Sequence, residues 1–220
     1  MNYKDISKRY NNNNRCVDVL KNVDIDINQG EIILINGSSG IGKSTLLSII
    51  GCLIKPDSGS LKHMRYNFDL TLDDVEKFRI NHFSYVFQNY NLLPEFTVYE
   101  NLLIPALINK LDVSETENKI SSLLSYMNIE SLKYSYPDNI SQGEKQRVAL
   151  LRALVSGQHY IIADEPTGNL DEINTKIILD LIVNINKDFK KTFIIASHDN
   201  EFFKISNKIY LIKNGKLIEK

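Results

Sequence analysis

The chain has 220 residues, a formal net charge of −1 at pH 7 and two cysteines. That length lets roughly 70% of the unfolded surface be buried without a disulfide scaffold. The near-zero charge excludes a general attraction to nucleic acid or anionic lipid, so phosphate chemistry must be local to a pocket.

In chain order, the opening "MNYKDISKRY" mixes charges and has no apolar core, unlike a signal peptide, and residence in the cytoplasm is expected. The asparagine run at 11–14 reads as a loop. Residues 16–27, "CVDVLKNVDIDI", alternate apolar and polar as half-buried antiparallel strands do, which predicts an edge sheet. Cys16 and Cys52 are expected as reduced thiols in apolar surroundings. "EIILIN" at 31–36, "YIIAD" at 160–164 and "TFIIAS" at 192–197 are short, nearly continuous apolar runs followed by polar turns, the pattern of a parallel sheet covered on both faces. The longest apolar runs, such as 46–54, fall far short of the roughly 20 residues that cross a bilayer. Residues 93–156 are helix-rich and read as a helical subdomain inserted in the α/β core. Within them, "NISQGEKQRVALLRAL" at 139–154 is an amphipathic helix capped by Ser141, with Val148, Leu151 and Leu154 on one face. A helix N-terminus with a Ser hydroxyl and a bare glycine amide is also able to receive an anion. Asn214 and Gly215 between two alternating runs predict a closing β-hairpin.

The chemistry concentrates at strand ends. "GSSGIGKST", comprising Gly37, Ser38, Ser39, Gly40, Ile41, Gly42, Lys43, Ser44 and Thr45, lies between a strand and a helix and matches the P-loop pattern. Its amides can wrap phosphate oxygens, Lys43 can reach the β- and γ-phosphates, and the Ser44 hydroxyl can ligate magnesium. Asp164, at the end of "YIIAD", is placed to hold magnesium through water, and Glu165 beyond it can orient an attacking water. His198 and Gln88 also follow strand-like runs, at the sheet edge where open α/β folds bind ligands. His63, His82 and His159 show no clustered partners and are assigned structural roles, and no zinc pattern stands out.

Together these motifs resemble the ATP-binding-cassette (ABC) ATPases over essentially all 220 residues. The resemblance implies one domain, 1–220, with a P-loop NTPase (RecA-like) core, an antiparallel β subdomain and an inserted α-helical subdomain. It implies ATP and magnesium as cofactors, with Ser44, Gln88 and Asp164 at the metal, Glu165 as catalytic base, and Lys43 and His198 as catalytic partners. Tyr10 matches the aromatic that stacks on adenine, and Gln88 matches the Q-loop. Residues 140–144, "ISQGE", match the signature motif, and "GNLD" with Asp171 matches the D-loop. In the family the signature helix meets ATP held by a second subunit, so Ser141, Gln142, Gly143, Glu144 and Asp171 are expected to act in trans in a homodimer. The usual Leu-Ser-Gly-Gly-Gln is departed from at Gln142 and at Glu144, whose charge is expected to weaken that contact without abolishing it.

The stretches at 49–59, 87–107 and 164–171 are similar to the subfamily of lipoprotein-releasing, macrolide-exporting and cell-division ATPases. This implies a separate membrane permease with an extracytoplasmic domain, a location at the cytoplasmic face of the membrane, and no nucleic-acid partner. A groove near Leu92, Leu93, Phe96 and Val98 is expected to take a short permease helix. The alternative implied function is a regulatory ATPase that controls an envelope enzyme through a membrane partner without transport.

Overall fold

The computed structural model describes residues 1–12, 15–63, 66–70 and 75–220. Two sheets organise it. Strands β1 (Asn2–Asn12), β2 (Arg15–Asp26), β4 (Ser58–His63) and β5 (Tyr66–Asp69) form an antiparallel sheet in the order β2-β1-β4-β5. The expected edge strand over 16–27 is therefore β2.

The central sheet has the order β10-β9-β3-β8-β7-β6, built from β3 (Ile32–Asn36), β6 (Phe83–Val86), β7 (Tyr160–Asp164), β8 (Thr192–Ala196), β9 (Lys208–Lys213) and β10 (Lys216–Glu219). Strands β9, β3, β8, β7 and β6 are parallel, and the hairpin at Asn214 and Gly215 returns β10 antiparallel. Register decides where the site lies. Ile35 and Asp164 both pair with Ala196, and Val86 pairs with Ala163, so four strands end level and deliver their following loops to one edge.

Alternate residues of each strand enter different cores, as a sheet covered on both faces requires. Ile32, Leu34, Ile161, Ala163, Phe193 and Ile195 face a core shared with α3 (Val98–Ile108), α4 (Val113–Tyr126), α5 (Gln142–Val155) and α6 (Glu172–Phe189). Ile33, Ile35, Ile162, Ile194 and Ala196 face the other core, with α1 (Lys43–Ile50), α2 (Glu76–His82) and the antiparallel sheet. The chain closes its helices with a short α7 (Phe202–Ile205). This α/β architecture with an antiparallel sheet and a helical segment agrees with the sequence.

Three expectations change. Helix α5 is buried well beyond one stripe, with Ala149, Leu150 and Ala153 covered as well as Val148, Leu151 and Leu154, because it packs on β6 and α6 at once. Cys16 is exposed on β2, so only Cys52 is a partly buried thiol. The histidines do meet. His63 and His82 rings lie 5.0 Å apart, and both His63 and His159 stack edge-on to Tyr160. Residues 63, 82 and 159 are distant in sequence, but the sheets end together there, and burial holds all three imidazoles below the usual histidine range. No group of three or more metal-ligating side chains forms among the described residues.

Candidate functional site

The loop after β3 runs from Gly37 to Gly42, and α1 begins at Lys43. Gly42 has φ 112°, and a Cβ there would fall 2.6 Å from the Val19 Cγ1 of β2, so both conformation and space demand glycine. The Lys43 ammonium donates to the Gly37 carbonyl at 2.8 Å and the Ser38 carbonyl at 3.3 Å, folded into the loop it follows. Its side chain is only 6% exposed.

Burying that charge requires a counter-charge, which Glu165 supplies. The Lys43 Nζ lies 3.2 Å from Glu165 Oε1, and His198 Nδ1 lies 3.0 Å from Oε2. Ser197 Oγ donates to the same Oε2 at 3.2 Å. The backbone fixes this arrangement: Glu165 adopts φ 45° just past β7, and its N–H donates to the Ala196 carbonyl at 2.8 Å. Burial opposes its ionisation, but His198 and Lys43 outweigh burial and hold the carboxyl below the usual range.

Asp164 behaves oppositely. Burial pushes its carboxyl up, the facing Ser44 side chain pulls it down, and the adjacent Glu165 charge adds to the rise. Its Oδ1 is buried without a hydrogen-bond partner among the described residues. An orphaned carboxylate oxygen facing a serine hydroxyl fits a hard divalent cation such as magnesium, which takes oxygen ligands.

Gln88 follows β6, is exposed, and accepts at its carbonyl from Asn169 Nδ2 at 3.1 Å, while its Nε2 packs on Gly168. The loop carrying Asp171 is thus braced on Gln88. Tyr10, near the end of β1, pairs with Val17, two residues before the Val19 that fills the space beside Gly42, and is 43% exposed.

The remaining candidates form a second cluster. Ser141 caps α5 in a reciprocal capping box: the Ser141 N–H and O–H both donate to Glu144 Oε2, at 2.7 and 2.8 Å, and the Glu144 N–H donates back to Ser141 Oγ at 3.3 Å. These bonds hold the Glu144 carboxyl below the usual range, with Arg147 assisting. Gln142 and Gly143 form the first turn, with Gly143 buried against α6. Asp171 caps α6 by accepting from the Asn174 N–H at 2.7 Å. Among the described residues, no hydrogen bond or ion pair joins Ser141 or Glu144 to Lys43, Glu165 or His198.

The residues expected along the groove divide. Val98 is fully buried and Leu92 is partly buried against the core, whereas Leu93 and Phe96 are exposed. A cavity of about 330 Å³ opens beside β6 and α3, with Phe83, Tyr85, Phe87, Pro105, Ile108 and Arg152 among its walls. Tyr85 and Phe87 also wall a cavity of about 100 Å³ that includes Ser44 and Asp164, so two stacked rings separate the groove from the P-loop side. Tyr85 further donates its hydroxyl to the Gly51 carbonyl at the end of α1. Sequence reasoning missed Tyr85, Ser197 and Asn174. Ser197 was within reach, as the polar residue closing an apolar strand beside His198.

A strand–loop–helix cradle, a clamped carboxylate and an orphaned one at a single sheet edge define a nucleoside-triphosphate site. The profile of the ABC transporter family matches residues 20–168. The chain belongs to the ABC transporter family. The lipoprotein-releasing system ATP-binding protein LolD of Cytophaga hutchinsonii is 39% identical over 215 residues, covering 97% of this chain and 96% of that protein. Among solved structures, the dimeric MJ0796, a bacterial ABC transporter cassette, aligns with a TM-score of 0.89 at 33% identity, covering 100% of this chain and 98% of that one. The dimeric post-hydrolysis state of MJ0796 bound to ADP and Pi aligns with a TM-score of 0.89 at 32% identity, covering 100% and 98%. This ABC chain is an ATP-binding subunit and an ATPase, with the P-loop NTPase fold.

Proposed function

We propose that this ABC ATPase serves a lipoprotein-releasing type of transporter, dimerising head to tail over two ATP molecules and driving a separate permease with an extracytoplasmic domain. The observation that carries the hydrolytic part is the Glu165 carboxylate, ionised between Lys43 at 3.2 Å and His198 at 3.0 Å at the edge where the P-loop opens. Held there, Glu165 can accept the proton of a water attacking the γ-phosphate, with His198 fixing its orientation. Lys43 exchanges its loop carbonyls for phosphate oxygens, and the amides of 37–45 surround the same oxygens. Ser44, Asp164 and Gln88 would hold magnesium, which neutralises phosphate charge when bound. Tyr10 stacks on adenine.

In this reading Ser141, Gln142, Gly143, Glu144 and Asp171 face the nucleotide of the partner subunit. The relatives named LolD, and the dimeric form of the aligned cassette, support the assembly. No described helix is long and apolar enough to cross a membrane, and attachment to the cytoplasmic face through the permease completes the proposal. The cavity beside β6 and α3, with its aromatic walls, is the surface we assign to a permease helix. Capture of the Glu165→Gln chain from detergent-solubilised native membranes, with ATP and magnesium, should recover a polytopic partner with a large extracytoplasmic domain. Recovery of soluble complexes alone would refute the permease-coupled reading.

A further inference from the structure

Asn174 enters the site so far only as the backbone donor that Asp171 caps, yet its side chain joins two of the site's parts. It lies in the first turn of α6, where its Nδ2 donates to both carboxylate oxygens of Asp171, at 3.0 and 2.9 Å, and its own N–H donates to Asp171 Oδ1 at 2.7 Å. Its side chain also lies against Gly143 on α5. A Cβ at Gly143 would meet Asn174 Oδ1 and fall 2.6 Å from its Cγ.

A free surface side chain would swing away from such a contact at little cost. Asn174 cannot, because swinging gives up both bonds from its amide to Asp171. Gly143 itself has ordinary helical backbone, so conformation does not demand glycine there; the space taken by Asn174 does. The same amide group therefore fixes the Asp171 carboxylate and sets how closely α6 approaches the N-terminus of α5.

We propose that Asn174 is a positioning residue that keys Asp171 to the capped end of α5, so that both segments meet a partner's nucleotide as one preorganised surface. The proposal rests on the head-to-tail dimer above. It changes the meaning of the glycine: Gly143 is small to admit Asn174 as well as any phosphate. Holding the two segments together before association removes an ordering cost that would otherwise weaken the dimer.

The test uses the full chain carrying Glu165→Gln, which stops turnover, and measures ATP–magnesium-driven dimerisation by sedimentation. Adding Asn174→Ala should raise the ATP concentration for half-dimerisation about fivefold or more, while the affinity of the dilute monomer for ATP changes less than about twofold. Asn174→Asp keeps the shape against Gly143 but replaces two hydrogen bonds by a like-charge contact, and should weaken dimerisation further. Gly143→Ala should weaken it strongly, and the Gly143→Ala, Asn174→Ala pair should lose less than the product of the two single losses, because the Asn174 Oδ1 and Cγ that the added methyl meets are gone while the phosphate and the 3.3 Å Cβ contact remain. Asn174→Ala dimerising at the parent's ATP concentration, or the losses of the pair multiplying, would overturn the proposal alone. A Glu165→Gln parent that binds ATP but stays monomeric at saturation would refute the dimer and this proposal with it.

Discussion

Glu165→Gln should tighten nucleotide binding as well as stop turnover, because Lys43 belongs to Glu165 before it belongs to phosphate. The ammonium is 6% exposed, the carboxylate 13%, and the two lie 3.2 Å apart. Coulomb attraction at that distance is about 5 kcal/mol at an effective dielectric of 20, before desolvation is subtracted. Glutamine keeps the shape, and its one carbonyl oxygen can still accept from Lys43 while its NH2 takes the place of Oε2, so the surviving difference at Lys43 is that of one charged hydrogen bond, about 1.5–3 kcal/mol. Nucleotide phosphates must win Lys43 from that bond. Removing the charge therefore lowers Kd by about tenfold or more. ADP is the nucleotide to use, because no turnover intervenes, with titration calorimetry of wild-type and variant chains at matched salt. An ADP affinity in Glu165→Gln equal to or weaker than wild type would refute the competition and the placement of Lys43 on which it rests.

Other consequences can be checked separately. His198→Ala leaves Glu165 without its 3.0 Å partner, and the resulting misplacement should lower kcat about a hundredfold with little change in nucleotide affinity. Leu150→Ala empties a fully buried position on α5 and should destabilise the chain by about 2–5 kcal/mol in a denaturant melt, whereas an equal Cm would refute its packing. Burial pushes the Cys52 thiol up to about 12, so at pH 8 only roughly one part in ten thousand is thiolate. Exposed Cys16 should then react with a disulfide reagent in the native protein and Cys52 only after unfolding; two fast thiols in the native state would contradict this.

Strands β3, β7 and β8 were legible because each is buried on both faces, which forces a short continuous apolar run bounded by polar turns. The P-loop was legible because strand, glycines, lysine and serine are consecutive. Glu165 and His198 were legible as types at strand ends, but not their meeting, which depends on Asp164 and Ala196 being in register. Strands β1, β4 and β5 left no clean signal: β1 changes register at several points against β2, with Asp5 at φ 54°, so its alternation breaks. Val98 was grouped with exposed Leu93 and Phe96 because an apolar residue serves the core or a surface equally well, and only packing separates the two uses. Asn174 was invisible because its importance lies in touching Gly143 across two helices; from the sequence it is one more polar residue in a first turn. Glu144 is similar. Its charge was read, and the Ser-x-x-Glu spacing of a capping box was there to read as well, but its engagement with Ser141 was missed.

Steady-state ATP hydrolysis by the purified chain, beside Glu165→Gln at the same ATP and magnesium concentrations, tests the central claim most directly. The account predicts measurable wild-type turnover and a loss of about a hundredfold or more in the variant, with nucleotide still bound. A Glu165→Gln chain that hydrolyses ATP at the wild-type rate would remove Glu165 from the reaction and contradict the mechanism built on its clamp.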